Sequence, residues 1–111
     1  MWRSPQFAWI CLLLAGLLEI VWSLAMKASD GFTRPGMTIL TGLAISLSVG
    51  LLSMGLRVLP VGTAYAVWTG IGAAGAAIFG IVFFNESTAA ARLACIGLIV
   101  AGVVGLKLLA D

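Results

Sequence analysis

The sequence has 111 residues, 62% of them hydrophobic and 9% charged, with a mean hydropathy of +1.19. An ordinary soluble domain carries about 25% charged residues, so the composition excludes that class and points to an integral membrane protein. The net charge of +2 comes from basic residues scattered singly along the chain, which leaves no patch for nucleic acid.

The first apolar run, 7–26, has the length a helix needs to cross the roughly 30 Å hydrocarbon layer. It contains Glu19. An acidic residue at the centre of a membrane helix costs about 2.5–3.5 kcal/mol on insertion scales, so such a carboxylate is by default a functional site. The structural alternative is a protonated or hydrogen-bonded side chain that holds helices together. Arg3 ahead of the run and Ser23-Leu24-Ala25 near its end imitate a signal peptide. The run is longer than the usual apolar region of about 7 to 15 residues and it carries Glu19, so it is read as a span.

Lys27, Asp30 and Arg34, with Gly31 and Pro35, mark a polar loop before the second uncharged run, 37–56. Arg57-Val58-Leu59-Pro60-Val61 is a tight turn, since Pro60 disfavours helical backbone at Leu59. A third run covers 62–84, and Asn85-Glu86-Ser87-Thr88 then offers Ser or Thr to cap a fourth, 89–106, in whose first turn Arg92 can snorkel to the headgroups. These four spans make 1–111 a single four-helix transmembrane domain, and in lipid their lengths select helices over strands. Cys11 and Cys95 fall inside spans, without a CxxC pair or a carboxylate cluster, so no metal, disulfide or cofactor is expected. No grouping of nucleophile, base and orienter suggests an enzyme.

With an even number of spans, Arg3, Arg57 and Lys107 share one membrane face and Lys27, Arg34 and Arg92 the other. Three against three gives the positive-inside rule nothing to act on, so dual topology and an antiparallel two-chain assembly are expected; the alternative is an unread charge bias. Small residues recur every fourth position at Thr38, Gly42, Ser46 and Gly50, at Gly72, Ala76 and Gly80, and at Gly97, Ala101 and Gly105. Such stripes let helix backbones approach closely. The fourth-span stripe is assigned to a chain-to-chain contact and the other two to close helix crossings. Gly70, Gly72 and Gly75 also weaken the third helix, which makes that segment a place to bend.

Helical spacing puts Gly16, Glu19, Trp22 and Ser23 on one face of the first span, and Tyr65, Trp68, Thr69 and Gly72 on one face of the third. Trp22 and Trp68 lie well inside their spans, whereas Trp2 and Trp9 suit the aromatic belt. Indole faces attract cations, indole N–H and phenol groups donate to carboxylates, and Glu19 supplies counter-charge: these are the parts of a cation site. The plainer reading, that Trp22, Tyr65 and Trp68 simply pack, stays open for each one taken alone. No basic residue lies deep in a span to neutralise Glu19, so its counter-ion is a proton or a transported cation, and competition of the two for one carboxylate is the minimal chemistry of exchange.

The run Gly16-Leu17-Leu18-Glu19-Ile20-Val21-Trp22, the loop Gly31-Phe32-Thr33-Arg34 and the stretch 59–72, which reads LPVGTAYAVWTGIG, resemble the small multidrug resistance family over essentially the whole chain. Trp22, three residues after the glutamate, and Trp-Thr-Gly-Ile-Gly in the third span resemble its guanidinium exporter subtype. The resemblance implies an antiparallel homodimer in a bacterial inner membrane that exports guanidinium or a small guanidinyl cation against protons, two per cation, by alternating access. It implies that Glu19 binds both proton and substrate, that Ser46 and Trp22 orient it, that Tyr65 and Trp68 line the pocket, that Gly16 is the small residue one turn before the glutamate, and that the fourth helices form the dimer contact. The rivals are a broad quaternary-ammonium exporter of the same fold, a non-transporting assembly subunit and a small oligomeric channel.

Overall fold

The computed structural model describes residues 4–109. Trp2, read as a belt residue, Arg3, which enters the charge count, and Asp111 lie outside the described residues. Four helices follow one another: α1 (Pro5–Ala28), α2 (Pro35–Leu56), α3 (Val61–Phe84) and α4 (Ala90–Leu109). Each is long and apolar enough to cross a membrane, so the chain is an all-α, multi-pass membrane protein.

Proline sets three of the four starts. Pro5 opens α1 behind the N-cap Ser4, whose Oγ accepts from the Phe7 N–H at 3.2 Å; Pro35 opens α2, and Pro60 is the residue before α3. A missing N–H costs nothing in the first turn, where that donor has no partner in the helix anyway. Between α1 and α2, Asp30, Gly31 and Phe32 all take left-handed backbone, at φ 53°, 69° and 66°. The buried Ser29 holds this reversal: its hydroxyl donates to Met26 O at 2.7 Å and accepts from the Phe32 N–H at 3.0 Å. Asn85, at φ 54°, closes α3 with a left-handed cap.

α1 is the central helix and packs against both α2 and α3, whereas the backbone of α4 lies against α3 alone. The buried core joins Trp9, Leu12 and Ala15 of α1 to Leu52 of α2 and to Ala64, Val67 and Trp68 of α3. Trp9 is therefore a core residue and not the belt residue its place near a span end suggests. Its ring closes the core at one end of the bundle, and the Lys107 ammonium sits 4.8 Å from the ring centroid, where an indole face attracts a cation. Among the described residues of α4, Ile96 alone is buried. The whole chain is a slab with principal extents of 39 × 35 × 16 Å.

The small-residue stripes divide. On α3 a Cβ at Gly72 would run into Glu19 of α1, so a close helix crossing is present there, whereas at Gly80 it would meet Glu86 of the loop that follows α3. On α2, Gly42 and Gly50 face open space, and the buried face is instead Thr41, Ala44, Ser48, Leu52 and Gly55. In a helix apolar all round, residue size does not say which side is covered. α4 carries its stripe outward, with nothing within 4 Å of a Cβ built at Gly97, Gly102 or Gly105. α3 itself runs as one helix through Gly70, Gly72 and Gly75.

Candidate functional site

The α1/α3 seam fixes Glu19. Ile71 of α3 fits over Gly16, where an added Cβ would lie 2.8 Å from Ile71 Cγ2, and Ile20 of α1 fits over Gly75. Between these two interlocks Glu19 lies flat on Gly72, so that its Cγ, Cδ and Oε1 occupy the space a Cβ would take. The carboxyl is thus set by contact of its side chain with the α3 backbone at Gly72. Glu19 Oε1 is buried and has no hydrogen-bond partner among the described residues. The same holds for the indole Nε1 of Trp22, one turn further along α1. Both are costly to a folded chain; the carboxylate oxygen suits a ligand that carries N–H groups, whereas the indole N–H needs an acceptor such as water or a carboxylate oxygen.

The second polar centre lies one turn earlier on α1. Ser48 of α2, fully buried, donates to the backbone carbonyl of Ala15 at 2.6 Å and accepts from Trp68 Nε1 at 3.0 Å, which ties α1, α2 and α3 together through one hydroxyl. Trp68 is held by this bond. Its ring meets that of Tyr65 at a centroid distance of 5.3 Å and a tilt of 52°, and Tyr65 stays 54% exposed at the edge of the bundle.

The structure brings Gly16, Glu19 and Gly72 to one seam, keeps Trp22 one turn beyond Glu19 on α1 with its indole nitrogen buried, and sets Tyr65 tilted against Trp68. Ser46 is a correction. It is exposed on α2 and its hydroxyl donates back to Gly42 O at 2.8 Å, so within the chain it does not reach Glu19. The serine turned inward is Ser48, two residues on and so about 200° around the helix. The signal available was the pattern Thr41, Ala44, Ser48, Gly55, whose i, i+3, i+7, i+14 spacing is that of a single face. Gly70, Gly72 and Gly75 serve as room for Val103, Glu19 and Ile20 respectively. Gly97, Ala101 and Gly105 lie on α4, away from the seam. Cys11 is buried and Cys95 exposed, both as free thiols, and among the described residues no group of three or more His, Cys, Asp or Glu stands ready for a metal.

A carboxylate in a helical seam, without a basic partner among the described residues, can hold one cation at a time: a proton, or a planar ion whose N–H fork meets the two oxygens.

Comparison with known proteins points the same way. The family model described as Small Multidrug Resistance protein matches residues 7–99. Proteins named Guanidinium exporter from Citrobacter freundii and Salmonella typhimurium are 58% identical over 101 residues, covering 91% of this chain and 96% of theirs. One of the same name from Yersinia pseudotuberculosis serotype I is 54% identical over 101 residues, 91% of this chain and 97% of its own length.

Proposed function

The chain belongs to the small multidrug resistance family, and on that premise we propose that it exports guanidinium in exchange for protons. The observation that carries this reading is the buried Glu19 oxygen, which has no hydrogen-bond partner among the described residues. Guanidinium answers the carboxylate with a fork of donors and offers a planar face to an aromatic ring, whereas a bulky quaternary ammonium has no donors to give. Gly16 keeps the wall before Glu19 thin, and Tyr65 and Trp68 form the aromatic side of the pocket.

The working unit is an antiparallel homodimer in the bacterial inner membrane, each chain inserted opposite to its partner. Two features support it: the three-against-three distribution of Lys and Arg across the membrane faces, and the uncovered face of α4 with Gly97, Ala101 and Gly105, which two chains can bring together. Two Glu19 carboxyls then share one cavity, and two protons leave as one guanidinium enters. Bending at Gly70, Gly72 and Gly75 of α3 exposes the cavity to one side and then the other. Because proton and cation compete, guanidinium affinity falls as pH falls through the titration of Glu19.

The test is guanidinium-driven proton movement in liposomes holding the purified protein, with Glu19→Gln in parallel and a quaternary ammonium as competitor. Proton movement with guanidinium that is lost in Glu19→Gln is the expected result. Movement with the quaternary ammonium alone would replace the proposal with a multidrug exporter, and silence with both would replace it with a non-transporting subunit.

A further inference from the structure

A cavity of about 230 Å³ opens between α1 and α3 on the membrane side where both helices end, lined by Ser23, Lys27, Ala76, Gly80, Phe84 and Glu86 among others. It continues the seam that holds Glu19. Ser23 is one turn beyond Glu19 on α1, and Ala76 is one turn beyond Gly72 on α3. At its outer end a second carboxyl repeats the inner arrangement, since Glu86 lies on Gly80 as Glu19 lies on Gly72, filling the space of a Cβ. Gly72 and Gly80 are two turns apart, about 12 Å along α3. Glu86 is half exposed and accepts from Arg92 Nη2 at 2.8 Å.

We propose that this cavity is the route by which protons travel between the membrane surface and Glu19, with Glu86 as the collecting carboxyl at its mouth. The inference rests on the proton-coupled reading and adds to it a path, open in one protomer of the antiparallel pair at a time, since two open at once would let protons cross without exchange. Three observations bear on it. The space admits several water molecules, each of which occupies about 30 Å³ in the liquid. The lining offers the Glu86 carboxyl at the mouth and, further in, the Ser23 hydroxyl, which donates to Ile20 O at 2.9 Å and can still accept from water; Glu19 lies one helical turn beyond the lining. The charges at the mouth discriminate: the Lys27 ammonium, 5.9 Å from the Phe84 ring centroid, and the Arg92 guanidinium oppose entry of an organic cation, whereas a proton moves by exchange between neighbouring oxygens. In each transfer one proton leaves the Glu86 carboxyl or a surface hydronium, one is handed inward along the waters, and one arrives on Glu19; the reverse sequence returns it.

The test needs no substrate. After a caged-proton pH jump on the full-length protein in liposomes, proton uptake is followed with a pH dye, and the component missing from Glu19→Gln is taken as uptake by Glu19. Ala76→Leu fills the cavity and is expected to slow that component at least about tenfold, because water needs room and polar partners to stay. Glu86→Gln removes the collector and leaves the channel open; its slowing, about threefold or more, is expected to be rescued by a small carboxylic acid buffer, which Ala76→Leu is not, since a buffer replaces a surface carboxyl and not a water file. Val82→Leu, on an exposed face of α3, keeps the normal rate. Normal rates in both Ala76→Leu and Glu86→Gln would overturn the route. If Ala76→Leu does not fold, a Glu86→Gln rate equal to that of the unaltered protein overturns it alone. Loss of guanidinium-driven proton movement in the unaltered protein, measured separately, would instead strike the exporter reading and leave the uptake rates to decide the path.

Discussion

Two buried polar centres sit one turn apart on α1 and are built on opposite terms. At Ser48 every group is matched: one hydroxyl donates to Ala15 O and accepts from Trp68 Nε1. At Glu19 and Trp22 a buried oxygen and a buried indole N–H each have no hydrogen-bond partner among the described residues. Leaving a buried polar group unsatisfied costs about 1–3 kcal/mol, so a chain that completes the first centre and leaves the second open keeps that opening for something that arrives from outside. The first centre is a tether, and in the proposed function the second is a receptor.

The contrast breaks most readily at the receptor. Glu19→Gln should abolish guanidinium binding, by roughly a hundredfold or more on the strength of a charge-assisted pair, while leaving the unfolding midpoint in detergent no lower, because an amide is cheaper than a carboxylate in a membrane helix. Gly72→Ala lifts the Glu19 side chain off its bed. Guanidinium affinity read by calorimetry should drop roughly ten- to a hundredfold, a penalty expected of a group displaced by about 1 Å. At the tether the cost appears in stability: Ser48→Ala strands the Trp68 N–H and should lower the unfolding free energy by about 1–3 kcal/mol. Trp22→Phe sharpens the distinction by removing an N–H that holds nothing in the fold. Stability should stay level, and guanidinium affinity should fall roughly three- to tenfold. The smallest effect belongs to Ser46→Ala, within about 0.5 kcal/mol in stability, since that hydroxyl only returns to its own helix. A larger loss at Ser46 than at Ser48 would reverse the assignment of the two serines.

The sequence reads well wherever chain-local chemistry decides. Pro5, Pro35 and Pro60 announce three helix starts, the loops at 29–34 and 85–89 fall where charge and turn residues gather, and Glu19 with Trp22 three residues on is visible as one face of one helix. It reads poorly wherever the answer depends on how a helix is turned. α2 is apolar all round, so nothing in its pattern of hydrophobicity says that Ser48 points inward and Ser46 outward; only the position of α1 and α3 decides it. Trp9 misleads for the same reason, because an indole near a span end suits either the interface or a core that reaches that far. The third-span glycines were legible as special but not as what they accommodate. Room for Glu19, Ile20 and Val103 is a property of the neighbour, and the neighbour is not in the local sequence.

The 16 Å thickness of the slab has a genetic consequence. At that thickness one chain is a thin layer of helices, and in the proposed homodimer it supplies one of the two walls around the bound ion. In the proposed homodimer a single codon writes both walls, and every substitution is felt twice by the same bound ion. In such a homodimer selectivity changes in doubled steps. A second gene copy removes that restriction: once duplicated, the two walls can diverge separately, and a transporter this small gains by duplication a finer control of its cargo than point mutation alone allows.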